Sequence, residues 1–348
     1  MEEVKVHQRR KRYSGTHPKK FEEKYKEHNP EKYKDTIQKV ISKGNTPAGM
    51  HISIMVKEIL EVLDIKPGEI GLDATFGYGG HTKAMLEKME NKGHIYALDI
   101  DPIEIVNTKK RLNDLGYNDD ILRVRHINFK DMDKVLEENE KVDFLLADLG
   151  VSSMQIDNPT RGFSFKHDGP LDLRLNPNQG VSASERLFEL NSEQIEGMLI
   201  ENSDEPYAYE ITKEIMKSKS KGPIKTTKEL YNIIEKALEF LPNNSEKKDI
   251  IKKTCQRVFQ SIRIDVNSEF EVLYEFLEKL PNVLAPNGRV AILTFHSGED
   301  RLVKKAFKEY YKEGIFKEIS KDVIRPSQDE CFINPRAKST KLRYAIKA

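Results

Sequence analysis

The chain has 348 residues, enough for a full-sized core and more than one domain. With 37% hydrophobic and 33% charged residues it reads as a soluble protein, and no apolar run approaches the roughly 18 residues of a membrane span. The first residues, MEEVKVHQRRKRY, hold no apolar secretory core, and Cys255 and Cys331 lie too far apart for metal-type spacing, which together point to the reducing cytoplasm.

The net charge of +1 conceals an asymmetry. Residues 1–48 carry 13 Lys and Arg against 7 Asp and Glu; residues 301–348 carry 13 against 6. Two basic ends around an acidic middle point to a polyanion partner, nucleic acid above all.

Residues 1–48 read as a basic arm, followed by the breaker Gly44-Asn45-Thr46-Pro47-Ala48-Gly49. From there the pattern alternates. A helix is expected over Ile54 to Leu63, a strand over Ile70 to Thr75, then a glycine turn and a helix from His81 to Met89. A second strand runs from His94 to Ile100, and Pro102 opens a helix at a favoured early position. Leu122 to Ile127 and Val142 to Ala147 read as the third and fourth strands, arguing for a parallel sheet with helices on both faces. The alternation then stops. Residues 182 to 259 are helical in pattern, Glu269 to Leu280 gives one more helix, and Arg289 to Phe295 returns as a strand. The simplest architecture is an α/β sheet domain interrupted by a helical insertion after the fourth strand.

Three acids end strands. Asp73 precedes the turn Phe76-Gly77-Tyr78-Gly79-Gly80, whose glycines allow backbone N–H groups to approach a ligand at a helix N-terminus. Asp99 ends the second strand, where an acid binds ribose hydroxyls. Asp148 ends the fourth, where open α/β sheets place their ligands. A dinucleotide fingerprint requires Gly or Ala where Thr82 stands, so a cofactor with an amino group fits better, with Asp73 as its acid. The loop from Asp157 to Arg174 is longer than a connection needs, and its Phe163, Phe165, Leu171 and Leu173 want burial.

Seven separated motifs occur in order: DATFGYGGHT (73–82), ALDIDP (97–102), DLGVSSMQID (148–157), RGFSFKHDGPLDLR (161–174), FQSIRIDVNSE (259–269), FHSGEDR (295–301) and NPRAKSTKLR (334–343). With these the chain resembles the RsmH, or MraW, methyltransferases of bacteria. The resemblance implies a Rossmann-like class I S-adenosylmethionine-dependent fold with methyltransferase segments over 49–156 and 259–348. An inserted loop and helical substrate-recognition domain would span 157–258. It implies methylation of cytosine N4 at position 1402 of 16S ribosomal RNA, in the small subunit. Its cofactor contacts fall on Gly79, Gly80, His81, Asp99, Phe129, Asp148 and Gln155. It implies no metal, and leaves the oligomeric state open between monomer and homodimer.

The chain departs from the family at three places. Ser53-Ile54 stands for Pro-Val after His51, Met154 for the proline before the glutamine, and Gly298 for leucine in FHSLEDR. With the arm, these leave room for a paralogue acting on another RNA; a non-catalytic assembly factor is the third reading. No catalytic base is identified: Asp148, Ser152, Ser153, Asp168 and His296 are the candidates. Phe163 and Phe165 are candidates to stack a flipped base. Arg161, Arg174, Arg257, Arg263, Arg336, Lys338 and Arg343 are candidates for phosphates.

Overall fold

The computed structural model describes residues 53–348; the basic arm expected over 1–48 lies outside them. The order begins α1 (Val56–Leu63), β1 (Ile70–Asp73), α2 (Gly80–Lys88), β2 (His94–Asp99), α3 (Pro102–Asp114), β3 (Leu122–His126), a 3-10 segment (Phe129–Val135) and β4 (Val142–Asp148). The four strands and the helices α1 and α2 lie within two residues of their expected bounds, while the 3-10 segment was not expected. Pro102 does open α3, with the Asp101 carboxylate capping the amides of Ile103 and Glu104.

Next come α4 (Ser153–Asp157), a 3-10 turn (Pro159–Arg161) and the helices α5 (Ala183–Glu189), α6 (Ser192–Ser203), α7 (Ala208–Lys219), α8 (Thr227–Ala237), α9 (Ser245–Asn267) and α10 (Glu269–Val283). Local chemistry defines their starts: Ser182 with Glu185, Asn191 with Gln194 and Thr226 with Glu229 form capping boxes. The chain closes with β5 (Leu284–Thr294), α11 (Ser297–Lys312), β6 (Phe316–Ile319), α12 (Gln328–Ile333), a 3-10 turn (Pro335–Ser339) and β7 (Lys341–Lys347).

The seven strands are ordered β3-β2-β1-β4-β5-β7-β6. The first five are parallel, as expected, while β7 is antiparallel to both β5 and β6. This antiparallel edge was not legible, because Lys341, Arg343 and Lys347 mask the apolar alternation of β7. The fold is an open, Rossmann-like α/β sheet with helices inserted after β4.

Side chains alternate across the sheet. Leu145, Ala147, Val290 and Ile292 join one buried cluster; Phe144, Leu146, Ala291 and Leu293 join the other. A third cluster belongs to the helices after β4 and includes Leu171, Leu173, Leu187, Ile195, Leu230, Ile234, Val258 and Ile262. The long loop contributes to it, and is stitched to the start of α8 by Leu171 N–H to Lys225 O and Thr227 N–H to Gly169 O.

Strand β1 carries Gly71 because the Phe144 ring of β4 lies against its backbone: a Cβ there would sit 2.2 Å from the ring. Gly71→Ala is expected to cost about 1–3 kcal/mol through overpacking, read from the urea midpoint. Adding Phe144→Leu should recover part of the loss. An unchanged midpoint in the single variant would refute this packing.

Candidate functional site

The strand order reverses between β1 and β4, and in open α/β sheets ligands bind outside the carboxyl ends of the strands at such a point. Asp73 and Asp148 end the two strands that flank it, and Asp99 ends β2. They are not equivalent. Asp73 is buried and turned into its own turn: one oxygen accepts the Thr82 hydroxyl at 2.5 Å and the other the Thr75 amide at 3.1 Å. It therefore holds the turn instead of facing an amino group, and Thr82 is present because it serves Asp73.

Asp99 is fastened to the glycine turn. Its Oδ2 accepts Gly77 N–H at 2.6 Å and its Oδ1 accepts Asp101 N–H at 2.8 Å. Burial pushes its carboxyl up to about 6, even though the two amides pull the other way. Gly79 caps α2 at φ +65°, a left-handed conformation that favours glycine, and a Cβ there would meet Leu112 at 2.8 Å. A Cβ on Gly80 would meet the Ser53 hydroxyl at 2.0 Å. Gly77, also left-handed, differs: a Cβ there would approach only Thr75 O, at 3.8 Å. The turn thus has one open face beside Asp99.

Asp148 stands across the crevice. Its amide donates to the Thr75 hydroxyl oxygen at 2.7 Å. Its Oδ2 lies 3.6 Å from His81 Nδ1, while His81 Nε2 pairs with Ile54 O at 2.9 Å. Its Oδ1 is buried with no hydrogen-bond partner, yet the side chain as a whole keeps 27% exposure. Burial pushes this carboxyl up to about 6, against the pull of His81. A buried carboxylate oxygen without a partner at one strand end and an open glycine turn after the neighbouring strand fit a cationic adenine nucleoside such as S-adenosylmethionine.

Two other expected contacts are placed less simply. Gln155 is buried with both ends of its amide engaged: Oε1 accepts Ser152 N–H at 2.9 Å and Nε2 donates to Asp101 Oδ2 at 2.8 Å. Arg161 Nη1 donates to the same oxygen at 2.8 Å, both side chains being buried. Gln155 thus joins α4 to the cap of α3. Phe129, half-buried, packs edge-on against Phe276 at 5.2 Å beyond β3. Sequence reading missed Asp101, although Asp before Pro at a helix start is a capping signal. Beside it Glu104 is buried, its carboxyl pushed up to about 7 by burial, against the pull of the Tyr78 hydroxyl and with smaller help from Asp101 and Asp99.

The structure corrects the expectations on the substrate side. Phe163 is buried under the Arg161 guanidinium, and Phe165 stacks on Tyr231 at 5.9 Å and edges onto Phe259, so both pack the helical cluster. Arg161, Arg174, Arg257, Arg263, Arg336 and Arg343 pair with Asp101, Asp172, Glu205, Glu269, Asp157 and Asp300. Ser152 caps α4, Asp168 accepts the Lys228 amide of α8, and His296 caps α11. Ligand atoms of Glu269, His296 and Glu299 lie within 4.8 Å of one another, but the Arg263 guanidinium already grips both oxygens of Glu269. A cation is therefore in place there.

The model of the MraW methylase family matches residues 48–348. A relative from Agathobacter rectalis named ribosomal RNA small subunit methyltransferase H 1 is 66% identical over 349 residues, covering 100% of each chain. One from Alkaliphilus metalliredigens, named with the numeral 2, is 59% identical over 98% of each chain. A third, from Pseudoalteromonas atlantica and named ribosomal RNA small subunit methyltransferase H without a numeral, is 38% identical over 85% of this chain and 98% of its own.

Because the Asp148 carboxyl is raised from 3.8 to about 6, its burial is a stability cost at neutral pH that vanishes below about pH 4, where folded and unfolded states are both protonated. Asp148→Asn should therefore raise stability at pH 7.5, by on the order of 1–3 kcal/mol. The gain should disappear near pH 4, while affinity for S-adenosylmethionine falls. Thermal unfolding at the two pH values and calorimetric titration check this; a variant less stable than wild type at pH 7.5 contradicts it.

Proposed function

The chain belongs to the MraW methylase family, and from that premise we propose that it methylates a cytosine of 16S ribosomal RNA at N4, at position 1402, with S-adenosylmethionine as donor. Two observations carry this reading together: the unpartnered Oδ1 of Asp148 at the end of β4 and the open face of the glycine turn at Gly77, on either side of the switch point. Bound there, the cofactor supplies a methyl group on a positively charged sulfur. Asp99 accepts hydrogen bonds from the ribose hydroxyls, Gly77, Gly79 and Gly80 allow close backbone approach, and Asp148, oriented by His81, accepts from the amino group. Gln155 and Phe129 support this pocket from α4 and from the segment after β3.

The reaction is an in-line displacement. The cytosine N4–methyl bond forms as the sulfur–methyl bond breaks, and one N4 proton leaves to solvent. A protonated exocyclic amine of cytosine is strongly acidic, so proton loss needs no dedicated side chain. The protein's task is placement of N4 behind the methyl carbon. That requires the base to be unstacked, and the inserted loop and helices over 157–258 are placed to hold it. The target would be met within the small subunit, in the cytoplasm; among the described residues no helix is long and apolar enough to cross a membrane.

A paralogue's activity on a different cytosine is the second reading. Two relatives matched over 98% or more of their length carry numerals in their names, and the family model begins only at residue 48, after the arm.

Mapping of N4-methylcytosine in ribosomal RNA from cells lacking the protein tests the target. Loss at position 1402 is expected; its persistence with loss elsewhere selects the paralogue. Deleting residues 1–43 should leave cofactor affinity unchanged and weaken binding to small subunits in a salt-dependent way, most at low salt, where the arm's phosphate contacts count most. Equal activity on subunits at every salt concentration excludes a role for the arm.

A further inference from the structure

With Phe163 and Phe165 turned into the helical core, the crevice needs another surface against which unstacked RNA can lie. Helix α12 provides one. Its Glu330 Oε1 accepts Met55 N–H at 2.7 Å, next to Ile54, whose carbonyl takes His81. The turn after it is held by Arg336, which donates to Asp157 Oδ1 at 2.8 Å at the end of α4. The segment is thus tied to the His81 side of the site and to the helix that carries Gln155.

Between these two anchors Phe332 is 88% exposed and Ile333 67% exposed. Single exposed apolar residues are ordinary. An adjacent pair on a doubly fastened segment, with exposed Lys338 and Arg325 alongside, is a different matter. Exposed Asp322 and Asp329 share this stretch with Lys338 and Arg325, but the segment 301–348 as a whole carries 13 Lys and Arg against 6 Asp and Glu. That favours a polyanion with flat apolar faces over a neutral protein surface.

We propose that Phe332 is a stacking platform for an unpaired RNA base flanking the methylated cytosine, with Ile333 extending the apolar face and Lys338 and Arg325 meeting phosphates. This rests on the RNA-methylation reading and adds a subsite to it. Stacking accepts any base, because every base presents a π-face. The platform therefore contributes affinity and placement, and base choice is left to the crevice.

The chain contains no tryptophan, so Phe332→Trp creates a single fluorescent reporter at the platform. Two probes are titrated: a single-stranded decacytidylate RNA, and small ribosomal subunits from cells lacking the protein. Quenching of Trp fluorescence by both RNAs is expected, with affinity equal to wild type. Phe332→Ala and Phe332→Leu should each bind RNA about tenfold more weakly, the loss typical of one stacked base. S-adenosylhomocysteine affinity should stay unchanged in all three variants. Leucine serving as well as phenylalanine, or absent quenching on RNA binding, overturns the stacking platform while leaving the methylation reading intact. Failure of the wild-type protein to bind either RNA brings down both.

Discussion

One buried carboxylate holds the two halves of the site in register. Asp101 Oδ1 accepts the first free amides of α3, while Oδ2 accepts Arg161 from the loop and Gln155 from α4. Its own amide donates to Asp99, the acid proposed to hold the ribose. Arg161 carries the linkage outward by donating to the carbonyls of Arg174 and Leu175, and Asn267 at the end of α9 binds that same stretch through Leu175 N–H and Leu173 O. A buried ion pair is weak evidence of net stability, since desolvation consumes much of the attraction. Removing one partner is another matter, because the remaining charge is stranded. The arrangement is tolerable only because both oxygens of Asp101 are fully supplied with donors. It also makes the position of the long loop depend on the end of β2, where the cofactor is proposed to bind.

The site is bought with electrostatic strain. Asp99, Glu104 and Asp148 are all raised, to about 6, 7 and 6, and burial is the leading cause each time. Unligated, such groups oppose folding at neutral pH; a cationic ligand reverses the sign by giving the carboxylates a counter-charge in a region of low dielectric. Asp73 is also raised by burial, but it is enclosed in its own turn, with its oxygens accepting from Thr75 and Thr82, and so it builds the turn.

The same accounting separates structural from binding arginines. Arg174 grips Asp172 two residues away, Arg257 pairs with buried Glu205, Arg263 with Glu269, and Arg343 with Asp300 across β7 and α11. These guanidiniums tie elements of the fold together. Lys338 and Arg325, exposed near α12 in the chain, have no carboxylate pair among the described residues, Arg325 donating only to the carbonyls of Ser339 and Thr340.

Much was written locally. The strands from Ile70 to Asp148 follow from short apolar runs, the helix starts from capping residues, and the acids Asp99 and Asp148 from their places at strand ends. The seven motifs between residues 73 and 343, taken in order, pointed to the family, because glycine conformation and helix capping are properties of neighbouring residues. What each polar side chain does was a different question. Nothing in the chain text distinguishes Asp73 from Asp148, a phosphate-binding arginine from Arg161, or a base-stacking Phe163 from Phe332. Those roles depend on which donor lies opposite after residues as distant as 101 and 161, or 55 and 330, are brought together. The antiparallel edge was hidden for the same reason: Arg343 looks like a surface residue until Asp300 neutralises it in the fold. Short-range geometry is encoded in sequence neighbours, whereas burial and charge compensation are decided only by long-range packing.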